Sequence, residues 1–190
     1  AEHNLDWYWS AELYGELLAV TGGKERIKFY LERYRPDDPR PDNLDAFIAE
    51  MHKQKTARYN EMLAQRPIPL RPGVRRLLEE ARREGIRLAI ATTTSLKNVT
   101  SLLEYSIAPE AVARFEVIAA GDMVPAKKPA ADVYHYALQA LKLPAAQCIA
   151  IEDSYNGIRS AMGADIPTLI TVSDYTRHQD FTGALLVLDH

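Results

Sequence analysis

Residues 148–161, CIAIEDSYNGIRSA, decide the fold class, because a short apolar run ends there in two adjacent carboxylates, Glu152 and Asp153. Such an uninterrupted run is typical of a strand buried in a parallel sheet. In open α/β sheets, ligands bind beyond the C-terminal ends of the strands. Two acids at that end predict a Mg²⁺ site, since this ion is usually held by one or two carboxylates, water and substrate phosphate. The alternative is a plain helix cap formed by Asp153, Ser154 and Asn156.

A second predicted strand, residues 86–91 with the sequence IRLAIA, leads directly into hydroxyl side chains. These are Thr92, Thr93, Thr94 and Ser95. Hydroxyls and free backbone N–H groups at the start of the following helix can bind a phosphate. An ordinary helix cap would have the same sequence, so the pattern alone leaves both interpretations open.

A third predicted strand, residues 116–121, is followed by a loop that contains Lys127 and Lys128 and leads into a helix beginning near Asp132. One of these lysines could point into the same crevice as the acids and the threonines. Loop lysines are mostly solvated, so this signal is weak when it is considered by itself.

In that order, the threonine, lysine and acidic strand ends resemble three consecutive motifs of the haloacid-dehalogenase-like hydrolase superfamily. The stretches AGDMVPAKKPAADVY (residues 120–134), IEDSYNGIRSA (151–161) and SDYTRHQDFTGA (173–184) are similar to the CbbY branch, whose members hydrolyse sugar bisphosphates. The resemblance implies Thr92 and Lys128 as catalytic residues and Glu152 and Asp153 as metal ligands. Thr93 and Thr94 of the possible phosphate-binding turn are candidates for substrate binding. Lys128 is preferred to Lys127 because the family's lysine immediately precedes the proline.

The family's nucleophile lies in an Asp-x-Asp-Gly-Thr segment at the end of a central first strand, and the 190 residues contain no such segment. The resemblance implies that this aspartate forms an aspartyl-phosphate, which water then hydrolyses. We therefore expect the central strand to be missing, which leaves an empty position between strands 86–91 and 148–151. The polypeptide alone is expected to be poorly folded and inactive.

The chain is predicted to divide near Pro67 into a helical cap domain, residues 1–66, and an incomplete α/β core domain, residues 67–190. Before Pro67, helical patterns cover residues 11–20, 23–35 and 44–65. After Pro67, helices alternate with apolar strands, which include residues 168–172 and 185–188. Strands without polar alternation are expected where helices cover both faces of a parallel sheet. The fold class is therefore α/β, a doubly wound Rossmann-like parallel sheet with an N-terminal helical cap.

Two features of the predicted cap are candidates for substrate binding. Gly22 and Gly23 permit close approach of the backbone to a ligand, and Lys24 and Arg26 add positive charge. A flexible hinge with solvated charges is the alternative. Lys55 either extends to water or reaches a substrate phosphate from an apolar helix face. That face contains Leu44, Ile48, Met51 and Met62. Three aromatic residues are expected to pack inside the cap, namely Trp7, Tyr8 and Trp9.

Composition excludes several classes of protein. The net charge of −3 gives no electrostatic basis for binding nucleic acid or a membrane surface. The single cysteine, Cys148, rules out a disulfide framework and fits a reducing cytoplasm. The sequence has no transmembrane or signal-peptide pattern. No Gly-x-Gly-x-x-Gly turn follows a strand, which argues against a dinucleotide-dependent oxidoreductase.

Together these features predict a monomeric, cytoplasmic, Mg²⁺-dependent phosphatase that acts on a small-molecule sugar phosphate, specifically a pentulose bisphosphate. One alternative is a phosphotransferase like β-phosphoglucomutase, which would yield an isomerised sugar phosphate rather than free phosphate. The other is a non-catalytic protein that binds sugar phosphates.

Overall fold

The computed structural model describes residues 5–189, and the first part of this range forms the helices α1 (Ala11–Leu17), α2 (Gly23–Tyr34) and α3 (Leu44–Gln65). Ser10 and Asn43 cap α1 and α3, because each side-chain oxygen accepts a hydrogen bond from a backbone N–H in the first turn. These helices confirm the predicted ones, although α1 ends three residues early. We refer to α1–α3 as the helical part.

The rest of the chain alternates helices and strands, as predicted. The elements are α4 (Val74–Arg83), β1 (Ala89–Ala91), α5 (Leu96–Ser106), β2 (Val117–Ala119), α6 (Asp132–Leu141), β3 (Ala150–Glu152), α7 (Tyr155–Met162), β4 (Thr168–Thr171) and β5 (Leu186–Leu188), with short 3-10 turns at Ala111–Arg114 and Ala145–Gln147. We refer to α4–β5 as the α/β part. β1 begins later than predicted, because Ile86 N donates to Ala81 O and so belongs to the turn that ends α4.

All strand pairs are parallel, and they form two separate sheets. β1 pairs with β2, whereas β3, β4 and β5 form the second sheet in that order. Within residues 5–189, β1 and β3 therefore each keep one edge that has no strand partner. A central strand between them stays a prediction.

Helices cover both faces of the first sheet. Ile118 of β2 packs with the buried Val99 and Leu103 of α5. Its neighbours in β2 alternate to the opposite face, where Ala119 packs with Val133 of α6. This arrangement explains why β1 and β2 lack polar residues, and it confirms the doubly wound α/β fold.

An aromatic cluster fills the core of the helical part. The Trp7 and Trp9 rings lie 5.5 and 5.1 Å from the Tyr30 ring, beside a buried set that consists of Ile27, Leu31 and Ile48. Tyr8, in contrast, is 80% exposed, so its predicted packing is wrong. It lies between two inward-facing neighbours, and an extended chain directs alternate side chains to opposite sides.

The predicted apolar face of α3 is wrong at one position, because Met62 is 59% exposed while Leu63 is buried. Helix α3 contacts both α2 and α5, so one straight stripe of residues does not serve both neighbours. No helix between residues 5 and 189 is long and apolar enough to cross a bilayer.

Candidate functional site

A cavity of ≈ 830 Å³ lies at the C-terminal ends of β1 and β3, between the helical part and the α/β part. Six of the ten predicted site residues line it, namely Gly22, Thr92, Thr93, Lys128, Glu152 and Asp153. Parallel strands place their C-terminal ends at the same edge, which is why side chains far apart in sequence meet here. The remaining four, Gly23, Lys24, Lys55 and Thr94, are not among the lining residues.

Glu152 is the buried member of the acid pair, with 8% exposure. Its Oε1 accepts hydrogen bonds from Lys128 Nζ and from the Tyr134 hydroxyl. Lys128 Nζ also donates to Ala91 O at 3.0 Å and lies 5.1 Å from the centre of the Tyr134 ring. A buried charge requires such partners, so these side chains act as a unit. We call Lys128, Tyr134 and Glu152 the Glu152 cluster.

Two further observations concern the Glu152 cluster: the protonation of the Tyr134 hydroxyl and the space around the Glu152 carboxylate. Burial raises the pKa of Tyr134 strongly, and the negative charge and hydrogen bonding of Glu152 raise it further. The phenol therefore stays protonated and is the donor. On the other side of the carboxylate, a Cβ atom at Gly157 would lie 2.6 Å from Glu152 Cδ. Any larger residue at position 157 would displace the Glu152 side chain.

Asp153 is exposed, and its carboxylate makes no hydrogen bond or ion pair within residues 5–189. The cap of α7 is Ser154, whose Oγ accepts from Gly157 N at 3.2 Å. Capping therefore does not account for the two acids. The described residues include no cluster of three or more His, Cys, Asp or Glu side chains arranged around a metal position. Two carboxylates at a cavity with room for a phosphorylated ligand nevertheless fit Mg²⁺, which commonly completes its shell with water and phosphate.

The threonine turn after β1 is held by local hydrogen bonds. Thr92 N donates to Ala119 O at 2.9 Å, and Thr92 Oγ1 accepts from Thr94 N at 3.2 Å. The Thr92 hydroxyl proton is thus left to donate into the cavity. Thr94 Oγ1 instead accepts from Asn98 Nδ2 at 3.2 Å, so this hydroxyl stabilises the start of α5.

The helical part presents Gly22 and Arg26 to the cavity. Gly22 has a φ of 101°, a conformation that favours glycine. Arg26 donates to Leu17 O and Val20 O at 3.0 and 3.1 Å, which fixes the guanidinium beside the end of α1. Lys55 is exposed at its surface, but partial desolvation by its neighbours lowers its pKa, with a further decrease from Arg26.

Besides the packing of α3 against α5, several side-chain contacts join the helical part to the α/β part, and we call three of them the bridging contacts. They are the Glu25–Lys127 ion pair at 2.8 Å, the hydrogen bond from Asn156 Nδ2 to Thr21 Oγ1 at 2.8 Å, and the edge-on Tyr14–Tyr175 pair with ring centres 6.3 Å apart. Burial alone raises the pKa of Glu25, but the hydrogen bond and charge of Lys127 lower it overall.

The model of the haloacid dehalogenase-like hydrolase family matches residues 23–171. The chain belongs to the haloacid dehalogenase-like hydrolase family. It is similar to Protein CbbY of Cereibacter sphaeroides, with 48% identity over 97% of this chain and 78% of that protein. It is equally similar to Protein CbbY of Rhodobacter capsulatus, with 48% identity over 97% of this chain and 79% of the relative.

Among solved structures, this hydrolase is also similar to a CbbY protein. The crystal structure of CbbY from Rhodobacter sphaeroides in complex with phosphate has a TM-score of 0.90 and 46% identity, over 99% of this chain and 81% of that one. A mutant of that CbbY, with the same values, was crystallised with xylulose-(1,5)bisphosphate. A putative β-phosphoglucomutase from Thermotoga maritima, with a TM-score of 0.66, 24% identity and coverage of 95% and 79%, shows a shared fold.

Sequence reasoning missed three residues near the cavity of this hydrolase. The sequence assigns no role to Tyr134, although a tyrosine in the apolar stripe of α6 signals that its buried hydroxyl has a partner. The family pattern favours Lys128 over Lys127, and the local sequence around Asn156 indicates only a helix cap. Lys127 and Glu25 lie 102 positions apart, and no local pattern marks such a pair.

Proposed function

We propose that this hydrolase is a Mg²⁺-dependent phosphatase whose substrate is a pentulose bisphosphate of the xylulose 1,5-bisphosphate type. The observation that carries the proposal is the meeting of Thr92, Lys128 and the Glu152–Asp153 pair at one cavity, with Arg26 at its rim. The similarity to CbbY proteins, one of which was crystallised with that bisphosphate, supports the substrate class. We also propose that the protein is a cytoplasmic monomer. The net charge of −3 gives no electrostatic basis for nucleic-acid or membrane partners, and the single cysteine fits a reducing compartment.

In this proposal, residues 1–66 form a cap and residues 67–190 form the catalytic core. The position of α1–α3 supports it, since they meet the α/β part at the bridging contacts beside the cavity. Closure of the cap over a bound sugar phosphate would exclude water from the reacting phosphoryl group.

The side chains at the cavity divide the work of phosphoryl transfer. Asp153 and Glu152 would hold Mg²⁺, which supplies positive charge to the phosphoryl oxygens when it is bound. Thr92 would donate a hydrogen bond to one of these oxygens. Lys128 is kept at the end of β1 by Glu152 and Ala91 O, where its positive charge would balance the nucleophile and the transferring group.

The nucleophile in this proposal is the first aspartate of an Asp-x-Asp-Gly-Thr segment, which the 190 residues do not contain. Its carboxylate would form a bond to phosphorus while the sugar oxygen leaves, and water would then release inorganic phosphate. The unpaired edges of β1 and β3 are consistent with a strand carrying this segment between them.

Phosphate release from xylulose 1,5-bisphosphate tests the proposal. We expect no turnover from the 190-residue chain alone, and Mg²⁺-dependent turnover once a strand ending in Asp-x-Asp-Gly-Thr is fused ahead of Ala1. The matched control carries Asn in place of the first aspartate of the added segment and should be inactive. Turnover by the unfused chain, or an isomerised sugar phosphate as the product, would contradict the proposal.

We propose that Gly22, Gly23, Lys24 and Lys55 contact the distal phosphate of the bisphosphate. A second experiment tests this role at Lys24. In the fused protein, Lys24→Ala should reduce kcat/KM for the bisphosphate, at a cost of about 1.5–3 kcal/mol, and spare a pentulose monophosphate. Lys28→Ala, one turn further along α2 and also exposed, is the control. Equal losses for both substrates would exclude this role for Lys24.

A further inference from the structure

The Glu152 cluster contains one group to which the phosphatase proposal gives no task, the hydroxyl of Tyr134. The side chain is 7% exposed, and its ring packs in the core formed with Val133 and Ala137 of the same helix. Only its hydroxyl reaches a functional group, the Glu152 carboxylate. A phenylalanine would fill the same space, so packing does not explain the hydroxyl.

The two donors to Glu152 share a single oxygen. Lys128 and Tyr134 both bind Oε1, and Oε2 accepts no hydrogen bond from residues 5–189. Gly157 bounds the carboxylate on the Oε2 side, since a Cβ atom there would overlap it. Lys128 alone would not fix the carboxylate, because an ammonium on a flexible stem can follow either oxygen. The tyrosine hydroxyl sits on a rigid ring and cannot follow.

We propose that Tyr134 is a positioning residue that orients the Glu152 carboxylate, so that Oε1 holds Lys128 at the end of β1 and Oε2 remains for the metal. The roles of Lys128 and Glu152 in this inference rest on the proposed function. The orientation itself is a property of the folded chain, so it is measurable without turnover.

Trace acetylation of the fused protein, which carries the Asp-x-Asp-Gly-Thr strand ahead of Ala1, measures the orientation through Lys128. Acetic anhydride is the reagent, and tandem mass spectrometry reads out the modified lysines. Lys127 is an internal reference, because its side chain is 32% exposed against 10% for Lys128. We expect Tyr134→Phe to raise the ratio of acetylation at Lys128 to that at Lys127 roughly tenfold, since the Glu152 carboxylate that holds Lys128 loses its fixed donor. Tyr136→Phe, on the same helix but outside the cluster, should leave the ratio unchanged.

If Tyr134 only stabilises the fold, Tyr134→Phe should lower the melting temperature. At temperatures well below that melting temperature, the acetylation ratio of Lys128 to Lys127 should then be unchanged. That result, or an equal rise in Tyr136→Phe, would overturn the proposal. If Tyr134→Phe does not melt cooperatively, Gly157→Ala decides the question, because it displaces the carboxylate while the tyrosine is retained. An unchanged acetylation ratio in Gly157→Ala would then exclude the positioning role. Lack of phosphatase activity would not alter these ratios, so the two proposals fail separately.

Discussion

Lys127 and Lys128 are neighbours in sequence, but they stabilise two different regions of the molecule. Lys128 is buried in the α/β part, where Glu152 and Ala91 O accept its hydrogen bonds. Lys127 is partly exposed and pairs with Glu25 of α2, which joins the α/β part to the helical part. The two ion pairs have similar chemistry and differ in their contact with solvent. Solvent contact decides how much the removal of one partner costs.

The comparison indicates that the two regions have different mechanical roles. Breaking the buried pair leaves an uncompensated charge in the core, so the Glu152 cluster is a fixed structure. Breaking the exposed pair allows water to replace each partner, so the bridging contacts can open at little cost. A protein that admits a substrate under a cap needs both properties at the same cavity.

The largest expected effect comes from exchanging the lysines one at a time for methionine. Lys128→Met should lower the free energy of unfolding by about 3–5 kcal/mol, because Glu152 keeps its charge without its main partner. Lys127→Met should cost less than about 1 kcal/mol. Urea denaturation of the fused protein, followed by circular dichroism, measures both. Similar losses in the two variants would remove the distinction between the two regions.

A smaller effect is expected from two glycine-to-alanine exchanges in helices. Alanine normally favours a helix over glycine by about 1 kcal/mol. At Gly157 the new Cβ meets the Glu152 carboxylate, so we expect a net loss of about 1–3 kcal/mol in the same urea assay. Gly15→Ala in α1 is the control, since its Cβ would meet only the Tyr175 ring, at 3.3 Å. A stabilised Gly157→Ala variant would show that the carboxylate is not confined.

The ion pair between Glu25 and Lys127 should contribute still less. A double-mutant cycle with Glu25→Gln and Lys127→Gln is expected to give a coupling energy of about 0.2–1 kcal/mol. This energy should decrease in about 1 M salt, where charges are screened within roughly 3 Å. A coupling that is larger and insensitive to salt would mean that the bridging contacts are as rigid as the Glu152 cluster.

The smallest effect concerns pH and the helical part. Burial lowers the pKa of His52, the charges of Lys55, Lys24 and Lys127 lower it further, and Glu25 partly opposes them. The folded chain therefore favours neutral His52, and the resulting stability is present above the unfolded pKa of about 6.5. It is lost as the pH falls through the lower folded value.

We expect His52→Gln to make the free energy of unfolding less dependent on pH between about 7 and 5.5. The urea assay at the two pH values measures this dependence. His135→Gln, which changes an exposed histidine of α6, is the control. A pH dependence unchanged by His52→Gln would rule out the contribution of this histidine.

The fold was predictable from the sequence because its signals are local. The apolar run before Glu152 and the one before Thr92 mark buried parallel strands, and parallel strands bring their ends to one edge. Strand lengths were not predictable, since Ile86 continues the apolar run but bonds back to Ala81 O at the end of α4. The exposure of Met62 depends on α3 having two neighbours, which no single periodicity describes.

The site was predictable only as a set of residues at strand ends. Thr92, Lys128 and Glu152 follow their strands, so their positions at the cavity come from topology. The direction of the Glu152 side chain in β3 depends on Tyr134, which reaches it from α6. The same limit applies to Lys24 and Lys55, since a positive charge in the sequence does not specify the direction in which its side chain points.

The aromatic cluster of the helical part has a practical consequence. The chain contains two tryptophans, Trp7 and Trp9, and both pack around Tyr30. Excitation at wavelengths that tyrosine does not absorb therefore yields emission from the helical part alone. The spectrum and quenching of that emission can follow the helices while circular dichroism follows the whole chain. The protein thus carries an intrinsic fluorophore on the proposed cap, and opening of the cap can be timed without an attached dye.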